Sequence, residues 1–336
     1  MYNFERGTLK MNKYVKKGLC LVLATGLIAS SFAGCAKINY VTDGAIQAIH
    51  EIKDGSWKEN GEDAATDAGA ADGDSSVIDE FVAGTYGGVD FQSVDDIVNY
   101  YVEAYDYSKT LTCQYKEKDG STQTYYKLLG EEDLQVGNIK IDGSSNSMID
   151  SLVPSIVGSL YHPGLNGLVP STNRNPDLDT DEWDGNGESL RTSRLVPEDI
   201  LAANVADNGD GTITIQLQPK AVNMSMPGKD AQGHVFQSLG AIDATVDSIS
   251  QLSWSQGTTA DNCIVDYKNG VATVTIDTKT KEIVKAEYLM KAYVSVTHAN
   301  ILVIKDKSAS LDITMKWSYP ASADYLMSSK GVTLIG

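Results

Sequence analysis

Residues 271–296 read VATVTIDTKTKEIVKAEYLMKAYVSV, and their spacing decides the fold. From Ile283 onward the even positions are Val284, Ala286, Tyr288, Met290, Ala292, Val294 and Val296, whereas Lys285, Glu287, Lys291 and Ser295 sit at odd ones. A period of two sends alternate side chains to opposite faces of a strand, so one face is buried and the other is wet. Residues 308–319 repeat the pattern in the other phase. Ala309, Leu311, Ile313, Met315, Trp317 and Tyr319 alternate with Ser308, Ser310, Asp312, Thr314, Lys316 and Ser318. The first of these strands would run roughly 45–50 Å, more than twice the usual length. A strand that long has to twist and coil. The expected class is α+β: a long, strongly curved antiparallel β-sheet with helices covering its apolar face.

Upstream, the pattern changes with each element. Ser93 followed by Asp96 predicts a helix N-cap with an acid in the first turn, and Ile97, Tyr101, Val102 and Tyr105 supply one apolar face. Leu111, Cys113 and Tyr115 then alternate with polar residues, and Asp119-Gly120 predicts a hairpin returning over Thr122 to Leu129. Met148 to Leu160 predicts an apolar helix interrupted by Pro154. Residues 166–194 are rich in Pro, Asn, Asp and Gly and read as a long surface excursion. A second hairpin is predicted from Leu201 to Leu217 around the turn Asp207 to Gly211. Val235, Leu239, Ile242, Val246 and Ile249 fall at helical spacing and predict one further helix.

The N-terminal part carries an address. Lys13, Lys16 and Lys17 precede fifteen uncharged residues, Gly18 to Phe32. A run of that length suits the apolar core of a secretory signal better than a membrane span, which needs about 20 residues. Met11 starts a cleaner signal than Met1, because Glu5 would otherwise sit in the basic region. Phe32-Ala33-Gly34-Cys35 resembles the lipobox of bacterial lipoproteins, with Phe32 where Leu is usual. The resemblance implies a signal peptide over 1–34, lipid attachment at Cys35 and a location on the outer face of the cytoplasmic membrane. A short amphipathic helix is expected within 35–53, from Ile38, Val41, Ala45, Ile49 and Ile52. Residues 54–76, DGSWKENGEDAATDAGAADGDSS, hold too little apolar surface to offset their ordering entropy and read as an acidic, disordered tether. A single α+β domain over 77–336 follows.

Two further resemblances bear on that domain. The curved sheet and the 271–296 run, in which Ile276-Asp277-Thr278-Lys279-Thr280-Lys281-Glu282-Ile283 occupies a tight turn, resemble the half-barrel of the periplasmic lipoprotein carrier and of mycobacterial lipid-binding lipoproteins. That resemblance spans about residues 200–320 and implies an incomplete barrel around an apolar cavity. The excursion and the tether are not part of the half-barrel pattern. The chain as a whole resembles surface lipoproteins of Gram-positive, clostridial-type gut bacteria, which implies a location and no activity.

Charge excludes some partners. The chain carries −18, and residues 1–34 hold five basic groups against Glu5, leaving −22 on the remainder. Such a body is repelled by phosphate backbones, so nucleic acid is not an expected partner. The membrane is one, through the lipid at Cys35. Asp177, Asp179, Asp181 and Glu188 fall at positions 1, 3, 5 and 12 of an EF-hand-like Ca²⁺ loop. Glu182 stands where the turn needs Gly, and Asp184 where an apolar residue belongs, so a solvated acidic loop is the better reading. No other cofactor is expected. His50, His162, His234 and His298 are too far apart for a local zinc signature, and neither a G-x-S-x-G elbow nor a glycine-rich phosphate loop occurs. Cys113 in an alternating apolar position reads as core, and Cys113 with Cys263 reads either as a disulfide or as two independent thiols.

Two functions remain in view, neither catalytic. In one, Tyr288, Met290, Val294, Leu311, Ile313, Met315 and Trp317 line a pocket between sheet and helices that takes an apolar ligand or lipid. In the other those residues close into a solid core, and the protein meets a partner through exposed loops such as 166–194.

Overall fold

In the computed structural model the two alternating runs pair with each other at the centre of one antiparallel sheet. The structure describes residues 75–128, 130–145, 193–250, 252–301, 304–329 and 331–335, with 150, 153, 154 and 157. The signal, Cys35, the amphipathic helix, nearly all of the tether and most of the 148–160 helix and 166–194 excursion, including the acidic loop, lie outside the described residues.

A hairpin, β1 (Gly84–Tyr86) and β2 (Val89–Phe91), leads into α1 (Val94–Ser108). Next come β3 (Thr112–Glu117), β4 (Thr122–Tyr126), β5 (Glu131–Ile141), β6 (Ile200–Asp207), β7 (Thr212–Pro219) and β8 (Val222–Asn223). Two short helices follow, α2 (Ala231–Val235) and α3 (Asp243–Asp247), then β9 (Leu252–Trp254) and α4 (Thr259–Asn262). The remainder is β10 (Cys263–Tyr267), β11 (Val271–Asp277), β12 (Ile283–Ile301), β13 (Ile304–Tyr319), α5 (Ala323–Ser329) and β14 (Val332–Leu334). The main sheet runs β5-β13-β12-β11-β7-β6, with β10 and β9 also pairing β12 and β8 pairing β10. β14, β3 and β4 make a separate three-stranded sheet, whose small core is Tyr115, Leu326 and Val332. The sheet is antiparallel and, among the described residues, strand outweighs helix, in line with the α+β reading.

The expected N-cap at Ser93 is present as a capping box. Its side chain accepts the Asp96 N–H, and the Asp96 carboxylate accepts the N–H of Ser93 and of Gln92. α1 buries Ile97, Tyr101, Ala104 and Tyr105 on the sheet, against β6, β7 and β12. Two hydrogen bonds pin it there. The Tyr101 and Tyr288 hydroxyls meet at 2.9 Å in the core, and buried Ser108 Oγ accepts the Ile283 N–H at 2.8 Å. At the surface Lys281, at the β11–β12 turn, pairs with Glu103 and lies 5.1 Å from the Tyr100 ring centroid.

Residues 75–91 form a strap fastened by side chains of the β6–β7 hairpin. Gln218, fully buried in β7, accepts the Val77 N–H through Oε1 at 2.7 Å and donates through Nε2 to the Ser75 carbonyl at 3.1 Å. Asp207 Oδ2 accepts the Gly87 N–H at 2.8 Å. Gly87 has φ +55, and a Cβ there would stand 2.8 Å from methyls of Ile213 and Thr278. Only glycine meets both conditions without strain.

Two expectations are corrected. Val284 faces solvent and Ile283 is buried, because a bulge opposite Thr275 and Ile276 inserts Val284 as an extra residue and resets the alternation. The single helix expected across Val235 to Ile249 is instead α2 and α3, parted by an extended Phe236 and by Gly240 at φ +72, a left-handed turn no helix continues through. The sequence reading assigned no strand to residues 131–141 or 263–267, which are β5 and β10.

Two predictions follow from how α1 is held. Tyr288→Phe leaves the buried Tyr101 hydroxyl without its partner and is expected to cost about 1–3 kcal/mol in urea unfolding. Adding Tyr101→Phe should recover part of that loss, and strictly additive costs would refute a coupled pair. Hydrogen bonds from the backbone of Gln92 and from Ser93 hold the Asp96 carboxyl below its ordinary value. A depressed folded pKa stabilises above the unfolded value, about 3.9, and that contribution is lost as pH falls through the folded value. The stability gap between wild type and Asp96→Asn should therefore be full at neutral pH and close in acid. A gap independent of pH would contradict this.

Candidate apolar ligand site

The register between β12 and β13 gathers the seven residues singled out from sequence. Tyr288 stands opposite Trp317, Met290 opposite Met315, Ala292 opposite Ile313 and Val294 opposite Leu311. Because side chains repeat every second residue, these four pairs form one apolar ladder on a single face, roughly 20 Å long. Neighbouring strands widen it. β5 adds Leu134 beside Met315 and Val136 beside Ile313, and β10 adds Val265 beside Val294 and Tyr267 beside Ala292.

Burial is uneven along this ladder. Tyr288, Met290, Trp317 and Ile313 are buried. Val294, Leu311 and Met315 are only partly so, as are Leu134, Val136 and Val296 around them. The closed end lies under α1, through Tyr101 on Tyr288. Desolvation raises both hydroxyls well above the usual tyrosine range, so the pair is neutral at any physiological pH. At the edge of that end the Trp317 indole N–H donates to Glu132 Oε1 at 2.6 Å. Leu134, Val136 and Glu132 were missed from sequence. The β5 run EEDLQVGNIKI does alternate, but Leu134 and Val136 are even whereas Ile139 and Ile141 are odd. A register shift between β13 and β5, with Asn138 at φ +49, explains the change of phase.

Ser255, His298 and Asp306 come together, but the Ser255 hydroxyl donates to Asp306 Oδ1 at 2.5 Å and the His298 Nδ1 meets the same oxygen at 2.9 Å. The serine is thus tied to the carboxylate instead of the imidazole, which is not the arrangement that activates a nucleophile. His234 Nδ1 lies 2.7 Å from Asp199 Oδ2, joining α2 to the turn before β6. Lys109, buried at the end of α1, has its pKa lowered by desolvation and pairs with Asp106 at 3.0 Å. Among the described residues, no group of three or more His, Cys, Asp or Glu is placed to hold a metal ion. No helix among them is long and apolar enough to cross a membrane.

Cys113 and Cys263 are both free thiols, which decides between the two sequence readings. Cys113 is half-buried beside the small core, whereas Cys263 is buried in the main one. Desolvation pushes the Cys263 thiol up to about 11. Alkylation of the native protein at pH 8, read by peptide mapping, should label Cys113 well before Cys263, and unfolding should abolish the difference. Equal native rates would contradict this placement.

Comparison of this chain with protein-family models, with curated proteins and with solved structures returns no match.

Proposed function

We propose that this protein is a lipid-anchored cell-surface lipoprotein that takes a single apolar ligand or lipid chain along the β12–β13 ladder, without catalysing a reaction. The ladder's partial exposure carries the reading. A face sealed at Tyr288 and Trp317 but partly exposed at Val294, Leu311 and Met315 offers apolar surface that a ligand would remove from water. A half-barrel shape for the sheet belongs to the same proposal. Its support is the length of β12 and β13, 19 and 16 residues, and their register shifts, each of which adds local twist. Anchoring rests on the sequence alone, through the signal-like run and Cys35.

One observation favours a second reading. Tyr288, Met290, Ile313 and Trp317 are as buried as any core residue, which suits a solid core and a protein that meets partners through its loops.

Mass spectrometry of an organic extract separates the two. The purified protein is expected to release a near-stoichiometric apolar compound. Leu311→Gln, on the partly exposed rung, should lower its yield severalfold at unchanged circular dichroism, and Thr314→Gln on the opposite face should not. An empty extract from folded protein would favour the solid-core reading.

A further inference from the structure

The ladder occupies one face of the main sheet, and the other face carries a row of its own. On β12, Tyr293 stands directly opposite Asp266 of β10 on one side and Asp312 of β13 on the other. Directly opposed residues project to the same face, and Asp266 is in turn opposite Asn223 of β8. The Asn223 amide donates to Asp266 Oδ1 at 2.9 Å. At the far end the Asn138 amide, at the β5 register shift, donates to Asp312 Oδ2 at 2.5 Å. Amide, carboxylate, phenol, carboxylate and amide thus follow one another across β8, β10, β12, β13 and β5, a line roughly 19 Å long. Both asparagines are exposed, and the three central residues are half-buried.

The ring in the middle has one face taken. Lys268 Nζ lies 5.3 Å from its centroid, and the Lys268 N–H donates to the Lys291 carbonyl, which puts this cation on the Lys291 side of Tyr293. The other face of the ring therefore looks along β12 toward the next row, Ser295 with Ser310 and exposed Ile264 beside it.

We propose that this row binds an uncharged, β-1,4-linked oligosaccharide lying across the strands, with one sugar ring against Tyr293. An aromatic face suits the C–H side of a sugar. A carboxylate has about four lone-pair sites, so an acid that takes one amide N–H can still accept ligand hydroxyls. The two amides fix both carboxylates in orientation, which lowers the ordering cost of binding. A straight row fits an extended β-1,4-linked chain better than a helical α-1,4-linked one. Charge selects further, because a protein of −18 repels polyanionic glycans. The site is separate from the ladder: Tyr293 is odd where the ladder residues of β12 are even, so the two share a strand but not a face.

The test is isothermal titration calorimetry of the full chain with cellotetraose, maltotetraose and tetragalacturonate. Cellotetraose is expected to bind, at least roughly fivefold more tightly than either of the others. Tyr293→Ala should weaken it at least about fivefold, whereas Tyr293→Phe, which keeps the ring, should stay within about twofold of wild type. Asp312→Asn preserves the shape of the site but loses a charged acceptor, so it should weaken binding severalfold, and it carries the test if Tyr293→Ala does not fold. Asp95→Asn, an exposed acid in the first turn of α1, should change nothing. No binding of cellotetraose, or binding that Tyr293→Ala and Asp312→Asn both leave intact, overturns the proposal. Equal or tighter binding of maltotetraose or tetragalacturonate overturns its choice of an extended, uncharged chain. Neither result touches the ladder, which Leu311→Gln reads separately.

Discussion

A slip of one residue between β12 and β13 would, with β13 held, turn Tyr288 and Met290 toward water and drive Glu287 and Lys291 into the core. Burying even one of those charges without a partner costs several kcal/mol, so the pairing is strongly specified. Much of the molecule depends on it. β12 is the strand to which β9, β10, β11 and β13 all pair, and the residues beneath α1 take their positions from it. The bulge at Val284 is how the strand meets two demands at once. It keeps Ala286 to Val294 in phase with β13 while turning Ile283 inward beneath α1, where its N–H reaches buried Ser108.

The helix is held by shape and hydrogen bonding more than by charge. Its buried cross-links, the Tyr101–Tyr288 phenol pair and the Ser108–Ile283 bond, join neutral groups, which leaves no uncompensated charge there. Its acids are kept at the surface and engaged locally. Asp96 closes the N-terminus and Glu103 meets Lys281, while Asp106 meets Lys109 and accepts the Ser193 N–H. In a chain of −18 this matters, because the acids crowded between 59 and 108 would otherwise oppose folding by mutual repulsion.

The parts of the fold that sequence revealed are those where one local period runs unbroken. The β12 run from Ala286 onward, the β13 run, the Ser93 cap and the Asp207–Gly211 hairpin needed nothing but spacing and turn chemistry. What sequence hid were the places where the period breaks. The β5 strand changes phase at its register shift, and the helical spacing from Val235 to Ile249 is interrupted by a left-handed glycine that no periodicity reveals. The ladder was visible as a set of residues because β12 and β13 each carry one face of it. Its third wall was not, because Leu134, Val136 and Glu132 join it through a pairing across some 180 residues of chain.

The clamp at Gln218 has a mechanical meaning. Its amide offers a carbonyl and an N–H to the backbone on either side of Ser76, as a neighbouring strand would. A pull arriving along the chain from the N-terminal side therefore reaches the structure at the sheet itself, through a side chain of β7 with β6 on one flank and β11 on the other. Load enters where the hydrogen-bond ladder is continuous, not at a frayed end. The strap from Ser75 to Phe91 is thereby a strain relief, keeping tension upstream from peeling away α1 and opening the core beneath it.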